Sequence, residues 1–252
     1  MIQTNLANDE QKKEKNLLEH FEDLRIALAK SLLAIVVSSI VCFYFADKII
    51  YLLEEPLLTI AGAEISRQIL RALSPHEAFL VSIKVVIVAG IIVASPVISY
   101  QLWNFISPGM TSKERSFALK VLVIGSLCFL LGIVFSYFVV LKACLSFLWN
   151  YTIRMGIKPE WTIGNYMSFV SILLLAFGVT FEMPAVSALL AKLNLLNSKT
   201  LSGKRLPAIL IMFIIAAVLT PPDIFSQLLL AIPMILLYEI SILIVKFFNH
   251  HA

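Results

Sequence analysis

Phe169-Val170-Ser171-Ile172-Leu173-Leu174-Leu175-Ala176-Phe177-Gly178-Val179-Thr180-Phe181-Glu182-Met183-Pro184-Ala185-Val186 is an apolar run that holds a single carboxylate. A helix rises about 1.5 Å per residue and the hydrocarbon core of a bilayer is about 30 Å thick, so a run of this length, with its flanks, crosses a membrane. A carboxylate inside hydrocarbon costs about 2.5–3.5 kcal/mol on insertion scales. A chain that keeps one there uses it or pairs it. Pro184 lies two residues on and has no N–H to donate, so the helix is expected to kink beside the acid. The same stretch thus sets the solvent of the fold and marks a site.

The rest of the composition agrees. Of 252 residues, 60% are hydrophobic and 14% charged, where a soluble domain carries roughly 25% charged residues. The bilayer is therefore the solvent for most of the chain. The net charge of +4 is too modest to point to nucleic acid. Cys42, Cys128 and Cys144 fall in or at the ends of apolar runs, without metal-ligand spacing, and read as small packing residues. His20, His76, His250 and His251 are scattered, and there is no His-Glu-x-x-His, Gly-rich phosphate loop or Gly-x-Ser-x-Gly. We expect no catalytic residues, no metal and no cofactor. Energy would come from the membrane potential, about 2.3 kcal/mol per charge per 100 mV.

Working outward from residue 182 gives six apolar stretches, at about 26–46, 79–103, 117–141, 166–190, 206–219 and 225–245. None shows strand alternation, so the expected fold is an all-α integral membrane protein, one domain of six transmembrane helices. The fifth has ~14 apolar residues, about 21 Å of helix. The sixth is uninterrupted only between Gln227 and Glu239. Both read as short, which would thin the bilayer beside them; a re-entrant pair is the alternative. Residues 1–25 form a charged segment with an amphipathic start, and the stretch after it is too long for the apolar region of a cleaved signal. With that segment inside, thirteen of the twenty Lys and Arg residues fall on the inner side, so both termini are cytoplasmic. Trp103, Trp149 and Trp161 lie near span ends, as interface aromatics do. On the outer side, a surface helix is expected over Leu57–Leu73, and 142–165 is amphipathic, so the two loops would form a rigid cap. Gly125, Cys128, Gly132 and Ser136 make a small-residue stripe that lets a neighbouring helix approach.

Two cytoplasmic features could bind something. Before the first span, Glu19, Glu22 and Asp23 share one region of a helix where basic residues are the norm. Either they form internal pairs, such as Glu22 with Arg25, or they dock a cationic peptide. Paired arginines suit carboxylates through bidentate contacts. The second feature is 101–115, where Phe105 and Pro108 mark a turn and Glu114 starts the third helix. Two other readings compete: a solute transporter using Glu182 and Lys84 as a proton or ion relay, or a structural scaffold. The sequence lacks the inverted repeats a transporter would show.

Four segments, in order and on the appropriate sides, resemble the TatC family, the multispanning core of the twin-arginine protein translocase. They are His20-Phe21-Glu22-Asp23-Leu24-Arg25; 95–109 with Lys113-Glu114-Arg115; Phe177-Gly178-Val179-Thr180-Phe181-Glu182-Met183-Pro184; and Leu219-Thr220-Pro221-Pro222-Asp223-Ile224-Phe225-Ser226-Gln227. The resemblance covers about Leu18 to Phe247. It implies a glove-like six-helix bundle that recognises twin-arginine signal peptides of folded precursors at Asp23, Arg25, Phe105 and Glu114, and draws on the proton motive force. It also implies that Glu182 and Gln227 form an intramembrane polar patch where the single-span partners TatA and TatB dock, that Pro56 is a functional outer-loop residue, and that several copies work together in one complex. A bacterial inner membrane is the expected location, an organelle membrane the alternative. The family pattern has glutamate where Asp23 stands, so either Glu22 or Asp23 meets the arginines.

Overall fold

The structure, a computed structural model, describes the backbone of residues 2–62, 69–106, 112–220 and 223–250, and side chains within these from 21 to 248 except 106 and 112–114. It is nearly all helical. The helices are α1 (Ile2–Tyr44), α2 (Ala46–Ala61), α3 (Glu77–Ile106), α4 (Ser112–Phe135), α5 (Lys142–Arg154), α6 (Ile163–Phe181), α7 (Met183–Lys192), α8 (Ser198–Gly203), α9 (Arg205–Leu219) and α10 (Ile224–His250). Two short strands, β1 (Leu70–Arg71) and β2 (Trp161–Thr162), pair in parallel. Five helical segments are long and apolar enough to cross a membrane, and α9 is a shorter apolar helix. Six crossings put both termini on the cytoplasmic side.

The first span is the upper part of one helix that begins at Ile2, so the charged N-terminal segment continues the span without a break. Most of its apolar side chains, Leu32, Leu33, Val36, Val37 and Ile40 among them, are exposed. In a bilayer they face lipid, where exposure of apolar atoms carries no penalty. α1 packs mainly on α3. The crossing is tight at Gly90, where a Cβ would lie 2.9 Å from the Ser39 backbone.

The small-residue stripe behaves as expected. A Cβ at Gly132 would lie 2.5 Å from the Phe177 carbonyl oxygen, and one at Gly178 would lie 2.8 Å from the Phe129 ring. These two glycines let α4 and α6 cross with backbones nearly touching. Past Phe135 the third span does not end in a loop. It runs through a π-helical turn, Ser136–Leu141, directly into α5. The wider turn redirects the helix so that α5 leans over the outer face and packs on α2.

Three expectations need correction. The outer surface helix is α2, Ala46–Ala61, which starts directly after α1 and continues through Pro56; of the expected Leu57–Leu73, residues 63–68 lie outside the described residues and Leu70–Arg71 is a strand. Trp103 and Trp149 are buried in the protein rather than placed at the lipid interface; Trp149 packs edge-on against Trp161 at 6.1 Å between centroids. The sixth helix has 27 residues and is not short as a helix. It passes Glu239 because the Arg205 guanidinium, at the start of the 15-residue α9, lies 2.9 Å from that carboxylate. The α9–α10 hairpin itself is short, since this ion pair marks its cytoplasmic end; beyond it α10 continues against α7 and α8.

Candidate functional site

The outer cap is held by two tyrosine hydroxyls that donate to backbone carbonyls of α2, one of them freed by a proline. Pro56 is buried inside α2 and cannot supply the amide that would bond the Leu52 carbonyl four residues back. The Tyr137 hydroxyl donates to that carbonyl oxygen at 2.6 Å, and lies 3.2 Å from Glu55 Oε2. One residue on, the Tyr166 hydroxyl donates to the Leu53 carbonyl at 2.7 Å. The third and fourth spans are thereby tied to the outer helix at its kink. Burial pushes the neighbouring Glu54 carboxyl above its ordinary value.

A second set joins the two outer loops. Glu77 accepts the N–H of Leu73 at 2.6 Å and of Gly164 at 3.0 Å, which fixes the start of α3 to the start of α6. Arg71 and Glu160 meet at 3.0 Å beside the strand pair. Lys84 Nζ donates to Ser168 Oγ at 2.8 Å, at the outer end of the second span. Sequence reasoning missed Tyr137, Tyr166 and Glu77. The available signal was a tyrosine near the outer end of an apolar run, whose hydroxyl needs a partner once buried.

Glu182 sits at the break between α6 and α7. Its N–H donates to the Val179 carbonyl at 3.1 Å, a tightened last turn, and the helix restarts when the Val186 N–H reaches the Glu182 carbonyl at 2.9 Å. Pro184 explains the break, since the Thr180 carbonyl has no amide to accept from at that position. The half-buried Glu182 side chain lines a cavity of about 200 Å³ with Ser99, Trp103, Ala118, Gly125, Ala185 and Leu189. The cavity lies between α3, α4 and α7 and is mostly apolar. Among the described residues no hydrogen bond or ion pair reaches the Glu182 carboxylate. Lys84 is not among its lining residues, so the carboxylate and amine of a proposed relay do not meet there.

Gln227 is elsewhere. Its Nε2 donates to the Phe213 carbonyl at 3.0 Å, stitching α10 to α9 one turn from the outer end, and it is not part of the Glu182 cavity.

At the cytoplasmic mouth, Glu22 and Arg25 pair at 3.0 Å, with both side chains largely exposed. Asp23 is exposed on the same turn, and among the described residues its carboxylate has no ion pair or hydrogen bond. Phe105 is partly buried near the end of α3. Glu114 begins α4, but its side chain lies outside the described residues, as do residues 107–111 between the two helices. Among the described residues of this turn, Glu22 is paired with Arg25 and Asp23 is not paired.

Comparison with known proteins gives a consistent answer. Residues 19–233 match the sequence profile of the family described as "Sec-independent protein translocase protein (TatC)". A protein of that name from Carboxydothermus hydrogenoformans is 39% identical over 236 residues, covering 93% of this chain and 94% of that protein. The Escherichia coli K12 protein of the same name is 36% identical over 232 residues, covering 92% and 88%. A crystal structure titled as the twin-arginine translocase receptor TatC superposes with a TM-score of 0.83 at 38% identity, over 91% of this chain and 99% of that one.

Proposed function

The chain belongs to the TatC family of Sec-independent protein translocase proteins, and from that premise we propose that it is the receptor core of a twin-arginine translocase, binding the signal peptides of folded precursors at its cytoplasmic face. It is an integral membrane protein of the bacterial inner membrane and a component of protein transport rather than an enzyme.

The observation that carries the reading is the exposed Asp23 carboxylate on the cytoplasmic extension of the first span. Glu22 is already engaged by Arg25, at 3.0 Å. A guanidinium offers two parallel N–H donors to such a carboxylate, which an ammonium does not. Asp23, helped by Glu114 at the start of the third span, is the group for the arginine pair. Phe105 supplies an apolar wall for the residues that follow it. Arg25 orients Glu22 and keeps it from competing.

The Glu182 cavity supports docking of a partner helix. An apolar helix of the TatA or TatB kind, carrying one hydrogen-bonding side chain, would fill the cavity and give the carboxyl a partner in hydrocarbon. Gln227, placed at the outer end of the α9–α10 hairpin, would contact such a helix at a different depth. Pro56 acts through the cap, by freeing the carbonyl that Tyr137 holds. Several copies of the chain would assemble through the extensive exposed apolar surface, with the proton motive force driving passage.

Export of a twin-arginine reporter in a strain lacking its own TatC tests this. The wild-type chain restores export, and Asp23→Ala and Glu182→Ala each reduce it while the protein accumulates in the membrane. Full export by both variants would leave only the scaffold role.

A further inference from the structure

We propose that the apolar cavity beneath α2 holds one acyl chain of an anionic phospholipid of the outer leaflet, with its headgroup held between Lys48 and Lys142. The cavity measures about 400 Å³ and is lined by Leu52 and Leu53 of the outer helix, Ala89 and Val93 of α3, and Val134 and Phe138 of the third span. Tyr137 also lines it, but its hydroxyl is turned to the Leu52 carbonyl, so the ring alone faces inward. Apart from the weakly hydrogen-bonding Cys42 thiol, the lining offers no free polar partner to a water, and an apolar space opening onto a bilayer fills with hydrocarbon.

The rim says which hydrocarbon. Phe138 is 57% exposed and Phe45 is 43% exposed. Each carries a lysine over its ring: Lys142 Nζ lies 5.5 Å from the Phe138 centroid and Lys48 Nζ lies 5.7 Å from the Phe45 centroid. Lys48 directly precedes Ile49, another lining residue, and Lys142 follows Phe138 by one turn. Among the described residues neither amine meets a carboxylate. Each of these aromatic-seated cations thus stands within one helical turn of a lining residue, Ile49 or Phe138, on the outer side, where positive residues are the minority. That is charge complementarity for a phosphate headgroup.

The roof says why a chain rather than a helix occupies the space. α2 lies across the outer end of the cavity and contributes three of its lining residues, Ile49, Leu52 and Leu53. A transmembrane helix about 10–12 Å across would have to pass through that roof to span the bilayer. An acyl chain enters beneath α2 from the lipid side, past the exposed Val134 and Phe138, and leaves its headgroup outside near the two lysines.

Native mass spectrometry of the purified full chain, titrated with phosphatidylglycerol or phosphatidylcholine of identical chains, tests the proposal. Two lysines at an anionic headgroup give a preference for the anionic lipid on the order of thirtyfold. Lys48→Gln with Lys142→Gln brings the two lipids to equal retention. Val134→Phe, placed on the open side of the cavity, or Ala89→Phe as an independent filling variant, lowers retention of both lipids while thermal stability of the chain is kept. Equal retention by the wild type, a preference that survives the double lysine variant, or unchanged retention in both filled variants would overturn it. So would a photo-crosslinker at Val134 that captures a partner helix in membranes instead of phospholipid.

Discussion

Tyr137→Phe removes one oxygen and leaves the ring packed. In the native chain that hydroxyl donates at 2.6 Å to the Leu52 carbonyl, which Pro56 deprives of a helical amide. Tyr137 is 9% and Leu52 52% exposed, and the bond between them is part-buried, so the tyrosine ring covers the freed carbonyl on one side. Leaving a covered carbonyl unsatisfied costs about 1–3 kcal/mol. The 3.2 Å contact with Glu55 adds little, because that carboxylate is exposed and finds water. A double-mutant cycle with Pro56→Ala measures the link between the two residues. The alanine N–H supplies the missing donor to Leu52, so Tyr137→Phe in the Pro56→Ala background should cost well under 1 kcal/mol. A coupling of about 1–2 kcal/mol is expected, against about 0.3–0.5 kcal/mol of scatter for independent sites. Thermal unfolding of the four purified proteins in one detergent reads it. Additive effects would refute the link between Pro56 and Tyr137, and with it the account of why a proline is used in the outer helix.

Other expectations are as definite. Gly132→Leu places side-chain atoms where the Phe177 carbonyl stands 2.5 Å from a Cβ, and should sharply lower the yield of folded protein, whereas Gly203→Ala, with nothing within 4 Å of its Cβ, should not; equal yields would contradict the close crossing of α4 and α6. Asp23→Ala should weaken binding of a twin-arginine peptide by roughly tenfold, the loss of one charge-assisted contact, with Glu22→Ala weakening it less; the reverse order, measured by fluorescence anisotropy, would transfer the role to Glu22. Glu182→Gln keeps a hydrogen-bonding group in the cavity and should co-purify the single-span partner better than Glu182→Leu; indistinguishable recovery would show that the carboxyl makes no contact with it.

The membrane-embedded architecture was legible because hydrophobic length and the distribution of Lys and Arg are set residue by residue along the chain. The break at Glu182 was legible too, since Pro184 removes a specific amide. The outer cap was not. Its key contacts join Tyr137 to Leu52, Tyr166 to Leu53 and Glu77 to Gly164, pairs more than eighty residues apart. Nor does local pattern reveal that Leu70–Arg71 pairs with Trp161–Thr162. The outer helix was misplaced because Pro56 ordinarily argues against a helix interior, and the tyrosine that compensates for it lies in another span. The length of α10 was missed because Glu239 looked like a boundary until Arg205 came beside it. In the site, the resemblance singled out Asp23, Glu182 and Gln227, but only the structure shows that Glu182 lines a cavity, that Gln227 bonds the Phe213 carbonyl and that Glu22, not Asp23, pairs with Arg25.

Photo-crosslinking shows whether the cytoplasmic mouth distinguishes guanidinium from ammonium groups. Probes placed in turn at Asp23, Phe105 and Glu114 are challenged with a synthetic signal peptide carrying Arg-Arg or Lys-Lys at its motif. Crosslinks with Arg-Arg are expected from all three positions and should fade with Lys-Lys. Crosslinks of equal strength with both peptides, or none with either, would contradict guanidinium recognition.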